Sequence, residues 1–253
     1  DSDYASAFNY KIQALFFKLC YWVADSCIIV SQSDLKNIFK VSSLKKKLSY
    51  SEHVINTKLF IADVPKEKIF TSIVWMGDEG NVVRKGVDKA LQIFAELKKI
   101  PEFVDYRFVI IGRKGEGEVL VRSIIDKYNL KGSVELKGEV SEEDKINLLK
   151  QSKYYFQLSL YEGFGLAALE ALCANNIIIH SGKGGLANPI YKEQLLFDID
   201  NDFDSELLKL VNKLACFTPI TSYDNLLEYY DIQRRKDDFE AIIVNGKSNY
   251  KLK

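Results

Sequence analysis

The chain has 253 residues, 47% hydrophobic and 28% charged, a balance that excludes wholesale disorder. A folded chain of this length buries roughly 75% of its unfolded surface and needs no disulfide or metal staple. Lys+Arg and Asp+Glu both number 35, so a general binder of polyanions, nucleic acid included, is not expected.

In chain order, the pattern opens with a helix over about Tyr4–Val23, a strand Ser26–Val30, a short helix after Ser33 and a basic loop, Lys45–Lys47. That loop reads first as a solvated surface, with acidic membrane lipid as the sharper alternative. A polar link follows around Asp63–Lys68. Beyond it, short apolar runs rich in Ile, Val, Phe and Tyr predict strands at Ser72–Met76, Arg107–Ile111, Val134–Lys137, Tyr154–Leu158, Ile177–Ile179 and Leu195–Phe197. Helical spacing predicts Gly86–Lys99, Glu118–Tyr128, Glu142–Gln151, Gly165–Ala174 and Ser205–Ala215 between them. A last long helix is expected over about Tyr223–Ile243, with Thr221 and Ser222 placed to cap it. Strand–helix alternation means a parallel sheet with helices on both sides.

The expected fold class is therefore α/β: a Rossmann-like doubly wound unit over 63–217, a remnant of a second α/β domain over 1–62, and a C-terminal helix and tail over 218–253. The chain begins at Asp1 and its only methionine is Met76, so it is expected to be a piece of a longer protein. Its four cysteines form no CxxC pair and only two histidines are present. That leaves no ligand set for a structural zinc, and no metal is expected. The cysteines, scattered among apolar neighbours, are expected to be reduced and buried, as in a cytoplasmic protein. The most apolar stretch, Ala14–Val30, carries Lys18 and Asp25 and falls short of a span of about 20 apolar residues.

The stretch that carries chemistry is Ser159-Leu160-Tyr161-Glu162-Gly163-Phe164-Gly165-Leu166-Ala167-Ala168-Leu169-Glu170-Ala171. It leaves a strand, turns through two glycines and enters a helix whose first N–H groups and dipole favour an anion. Glu162 and Glu170 flank that anion site with carboxylates suited to hydroxyl groups. An anion with several hydroxyls describes a nucleotide sugar. An ordinary strand–turn–helix with Glu162 solvated is the plain alternative on physical grounds alone.

This stretch resembles the Glu-x7-Glu motif of retaining GT-B glycosyltransferases, the large family-four group that builds glycans, glycolipids and capsules. Other segments match in order. Ala24-Asp25 with Ile28–Ser31 resembles the last strand of the acceptor domain, and Val54-Ile55-Asn56 with Phe60 the interdomain connector. Ile73–Gly77 with Lys85–Asp88 resembles the first donor-domain strand and loop, and Phe108–Gly112 its second strand. Val134–Ser141 looks like the strand and loop near the base, and Gly184-Gly185-Leu186 like the glycine loop.

The resemblance implies that Glu162 contacts the transferred sugar and Glu170 holds the ribose. It places backbone N–H groups of Phe164, Gly165 and Leu166, after Gly163, at the sugar or diphosphate. Lys85 fits the lysine of the family's diphosphate-binding pair. Asp78-Glu79 stands where the arginine is expected, which leaves Arg84 as the candidate substitute. Gly112 and Arg113, in a glycine-rich turn, and Val140 and Ser141 are candidate base or phosphate contacts. His180 is a strand-end polar residue first and a sugar contact second. No cofactor or obligatory metal is implied. The implied partners are a nucleotide sugar and a glycan or lipid-linked acceptor at the cytoplasmic face of a membrane; a binding module completed by a separate acceptor chain is the alternative.

Overall fold

The computed structural model describes residues 11–30, 48–61, 64–217 and 223–245. The loop Lys45–Lys47, the short helix after Ser33 and the caps Thr221 and Ser222 lie outside them. Its main body follows the expected strand–helix alternation. Strands β3 (Glu67–Ile73), β4 (Arg107–Ile111), β5 (Val134–Gly138), β6 (Ser152–Gln157), β7 (Ile177–His180) and β8 (Leu195–Leu196) alternate with helices α2 (Glu79–Arg84), α3 (Val87–Leu97), α4 (Gly117–Lys127), α5 (Glu142–Gln151), α6 (Leu166–Cys173) and α7 (Phe203–Cys216). Before them stand α1 (Lys11–Val23), β1 (Cys27–Ile29) and β2 (Leu48–Tyr50), and after them α8 (Tyr223–Tyr229) and α9 (Ile232–Asn245).

The six strands form one parallel sheet in the order β5-β4-β3-β6-β7-β8. This is the doubly wound order, and it reverses direction at the β3/β6 boundary. The pleat sorts the side chains. Phe70, Phe108, Tyr154, Phe156, Ile177 and Ile179 pack with α3, α4 and α7 on one face. Tyr155 and Ile178 pack with α5, α6 and Tyr191 on the other. Phe70 centres the first layer, its ring stacked on Tyr154 and Phe156 at 4.6 and 5.1 Å. The predicted helical positions Val87, Ala90, Leu91, Phe94 and Leu97 are all buried.

The structure differs from expectation in several places, and it adds two short elements that the pattern does not mark, α2 and β2. The first strand of the six-stranded unit runs over Glu67–Ile73 rather than Ser72–Met76, because its pairing with β6 ends early. Val74 and Met76 still bond to the Ile111 and Arg113 carbonyls on the β4 side, so the chain parts from β6 alone and opens the crevice at the switch point. Lys66, expected in a polar link, is tied into the unit. Its ammonium reaches the Lys150 and Ala174 carbonyls at 2.8 and 2.5 Å, at the ends of α5 and α6, where helix dipoles favour a cation. Burial lowers its pKa to about 8.

The last helix breaks into α8 and α9 at Tyr230-Asp231, because Tyr230 turns inward, 1% exposed, and its carbonyl accepts from Ile55 N. Finally, Cys173 is buried and its thiol pKa is pushed up to about 12, but Cys20 and Cys216 are exposed. Both lie near or at helix ends on open surfaces.

Candidate functional site

The β3/β6 switch point is bordered by two glycine-bearing segments. Gly86 adopts φ +69°, and a Cβ there would lie 2.0 Å from the Leu158 carbonyl oxygen. Only glycine allows that approach. It seats the end of α2 against the segment after β6, where Leu160 N also donates to the Arg84 carbonyl at 2.8 Å. Gly184 does the same for the loop after β7. It has φ +59°, its Cβ would lie 2.1 Å from the Glu162 carbonyl oxygen, and Gly185 N donates to that oxygen at 2.6 Å.

Held between these segments is a cavity of about 460 Å³, lined by Arg84, Lys85, Tyr161, Glu162, Gly163–Ala167 and His53. Lys85 Nζ and Glu162 Oε2 form an ion pair at 2.8 Å, with side chains 22% and 15% exposed. The same carboxylate oxygen accepts from Ser159 Oγ at 3.0 Å and Gln157 Nε2 at 3.1 Å. Gln157 is itself held by the buried Tyr155 hydroxyl at 3.2 Å. Glu162 thus has a fixed orientation set from inside the sheet. Beyond it, α6 begins at Leu166 after Gly165, whose φ of +89° again requires glycine, and its first residues, Leu166 and Ala167, line the cavity.

Arg84 lies on the cavity wall beside Lys85, so these adjacent cations do face one space. Asn81 Oδ1 accepts from Arg84 Nη2 at 2.6 Å, and the Asn81 amide donates to the Trp75 carbonyl. Asp78, where an arginine was expected, has a task of its own. It is the N-cap of α2, its carboxylate accepting from Asn81 N at 2.6 Å.

Glu170 lies one step along α6, outside the lining of that cavity, and has a partner that local spacing did not reveal. Lys145 Nζ is 3.0 Å from Glu170 and 2.8 Å from Glu142. Burial raises the Glu170 carboxyl pKa while Lys145 pulls it back. Burial alone would lower Lys145, but its bonds to Glu142 and Glu170 outweigh that and raise it. Ser141 contributes indirectly. Its hydroxyl caps α5 by accepting from Asp144 N at 3.0 Å, and α5 carries Lys145.

Val140 packs on the Ile69, Val109, Ile111 and Leu148 cluster. Gly112 N bonds to the Gly138 carbonyl, and the Arg113 side chain is exposed. These residues stand at the strand ends beside the crevice rather than in the cavity. His180 is buried against the Tyr191 carbonyl at 3.1 Å, and burial lowers its pKa to about 4; it takes no part in the lining. Among the described residues no group of His, Cys, Asp and Glu could hold a metal, and no helix is long and apolar enough to cross a membrane.

The carboxylates Glu162 and Glu170, eight residues apart, and the two glycine-seated loops lie within a stretch that sequence comparison matches. The family model for glycosyl transferases group 1 covers residues 80–215, more than half of the chain. The chain belongs to the glycosyl transferases group 1 family. GDP-mannose:cellobiosyl-diphosphopolyprenol alpha-mannosyltransferase of Xanthomonas oryzae is 32% identical over 163 residues, 56% of this chain and 40% of that protein. The phosphatidylinositol N-acetylglucosaminyltransferase GPI3 subunit of Saccharomyces cerevisiae is 27% identical over 129 residues, 51% of this chain and 28% of its own length. The chain thus spans less than half of either relative.

Among solved structures, HepE of Anabaena in complex with UDP and glucose superposes with a TM-score of 0.72 at 13% identity, over 96% of this chain and 68% of that one. Sucrose-phosphate synthase of Thermosynechococcus elongatus gives 0.71 at 21% identity, over 94% and 60%. At such identities the likeness shows the fold, the GT-B arrangement of this glycosyltransferase family. Glu162 and Glu170 both lie inside the matched range.

Proposed function

We propose that this chain is the donor-binding portion of a retaining glycosyltransferase that takes a sugar from a nucleotide sugar and passes it to a glycan or lipid-linked acceptor. The observation that carries this is the Lys85–Glu162 ion pair in the switch-point cavity. A cation and a carboxylate there neutralise each other until a ligand bearing both phosphate and hydroxyls separates them. In this reading Lys85 and Arg84 take the diphosphate, and the N–H groups around Phe164–Leu166 take its oxygens or the sugar's. Glu162 accepts from the sugar hydroxyls and Glu170 from the ribose. The two cations meet the diphosphate charge, so the reading calls for no metal.

In transfer, the bond from the sugar's anomeric carbon to phosphate oxygen breaks as the acceptor oxygen bonds to that carbon on the same face. The acceptor's proton passes to the departing diphosphate. The protein's part is positioning and stabilisation of the leaving charge. Residues 63–217 form the donor unit and 1–62 the acceptor-side domain's last part with the connector; the exposure of Leu15, Phe16, Leu19, Trp22 and Val23 on α1 supports the acceptor-side part. The place of action is the cytoplasmic face of a membrane. The yeast relative is named as a subunit, which favours, as a second reading, a donor-binding subunit completed by another chain.

Calorimetry in EDTA with UDP, GDP and ADP tests the site. One nucleotide should bind, and Lys85→Ala should weaken it by about 1.5–3 kcal/mol. No heat with any of them, or an unaffected Lys85→Ala, overturns the assignment. Sugar transfer by the chain alone would decide against the subunit reading.

A further inference from the structure

Of the residues lining the switch-point cavity, His53 comes from outside the six-stranded unit. It belongs to the segment between β2 and β3, and its ring meets Phe164 edge-to-face, with centroids 5.3 Å apart at 77°. Phe164 sits within the motif turn, so this contact joins the connector to the site. On its other side, Arg235 of α9 places Nη1 3.4 Å from His53 Nδ1 and 2.6 Å from the Glu52 carbonyl.

A guanidinium has only donors. Nδ1 facing it must therefore be the accepting nitrogen, and the ring's proton sits on Nε2. Burial and the Arg235 charge lower the imidazole's pKa, which favours the neutral ring. A neutral N–H donor on the wall of a cavity that already holds two cations and one carboxylate complements a ligand rich in oxygen acceptors.

We propose that His53 is a further donor-site residue, which Arg235 fixes as the Nε2–H tautomer so that it donates to an oxygen at the phosphate–sugar end of a bound nucleotide sugar. This rests on the nucleotide-sugar reading of the cavity. His53 and Glu162 share the cavity that Glu170 does not line, so the contact is confined to that end of the ligand. Arg235 is the positioning residue, and α9 thereby acts on the site without reaching it.

Two measurements test it on the whole chain. The protein has two histidines, so nitrogen NMR of the labelled protein is assignable with His180→Gln as reference. The expected spectrum shows His53 neutral and protonated at Nε2, with that resonance moving when GDP-mannose or UDP-N-acetylglucosamine is added. A charged ring near neutral pH, an Nδ1–H tautomer, or no change on adding a sugar nucleotide that calorimetry shows to bind overturns the proposal, and none of these needs a variant at position 53.

The second measurement is calorimetry with the nucleotide sugar, its nucleoside diphosphate and its monophosphate. His53→Phe keeps the ring against Phe164 and removes the donor. It should weaken the nucleotide sugar about fivefold or more, with the monophosphate unchanged and His53→Gln partly restoring affinity. Unchanged nucleotide-sugar affinity, or equal loss for the monophosphate, sinks the assignment. If Lys85→Ala weakens binding and His53→Phe does not, this inference alone falls. If no nucleotide binds the parent protein, the donor-site reading falls and takes it along.

Discussion

Glu170 and Lys145 stand 25 residues apart and meet across the groove between α5 and α6. A half-buried carboxylate loses solvation when charged, so the protein must hold its charge by a partner. Lys145 is that partner, and it has a consequence for pH. With the lysine replaced by methionine, the Glu170 pKa rises further above the usual carboxylate range. As pH falls, the variant protonates Glu170 earlier than the parent and loses the charged acceptor proposed for the ribose. Nucleotide affinity of Lys145→Met should therefore decline on acidification at a higher pH than that of the parent. The loss on protonation should reach about 1.5–3 kcal/mol, and Lys145→Arg should restore the parent profile. Superimposable profiles for parent and methionine variant would show that the pair does not govern the site.

At the scale of elements, α2 explains why Asp78 stands where the family's arginine was expected. The aspartate caps the helix, the helix carries Asn81, and Asn81 holds Arg84 on the cavity wall. An arginine at 78 adds a cation but removes the cap, which costs about 1 kcal/mol, and disturbs the residue orienting Arg84. Asp78→Arg should therefore lower both melting temperature and nucleotide affinity, whereas Asp78→Asn, which still caps, should preserve them. Improved affinity in Asp78→Arg would show that charge at this loop outweighs helix geometry. Much at this scale was legible in the sequence. Glu142–Gln151 was bounded by its Ser141 cap and by the strand after it, and β4 by an apolar run that tertiary pairing did not shorten. Helix α2 was not, because six residues with one buried valine and a glycine carry no helical stripe. Strand β2 is too short to alternate. The Tyr230 break is set by a polar group from the connector, and the Lys145–Glu170 pair spans two helices with no local spacing to mark it. The motif turn was readable because its glycines answer to local backbone geometry. The cage around Glu162 was only partly so, since Gln157 and Ser159 look like ordinary strand-end polar residues until the sheet is formed.

Across the whole molecule, one buried carboxylate ties three parts of the chain together. Glu52, 4% exposed in the connector, accepts from Asn188 Nδ2 of the six-stranded unit at 2.7 Å and from the Tyr230 hydroxyl at the α8/α9 break at 3.1 Å. The Tyr50 hydroxyl also donates to it. Backbone contacts run alongside: Ile55 N donates to the Tyr230 carbonyl, and Arg235 to the Glu52 carbonyl. His53, the next residue, touches Phe164 in the motif turn, so the packing of α8 and α9 is continuous with the cavity. Truncating Glu52 leaves buried donors without an acceptor, each costing roughly 1–3 kcal/mol. Glu52→Ala should therefore destabilise the protein by at least about 2 kcal/mol in urea denaturation. Glu52→Gln should cost less, since its carbonyl still accepts and its amide can donate to a tyrosine oxygen. The loss should also be regional, because the six-stranded sheet has its own core. By hydrogen exchange, the amides of Ile55 and of 226–242 should lose protection in Glu52→Ala, while those of Phe108–Ile111 in β4 keep theirs. Even loss of protection across the sheet would mean that Glu52 supports the entire fold rather than joining its parts, and no change at Ile55 would mean that the backbone contacts hold the junction unaided.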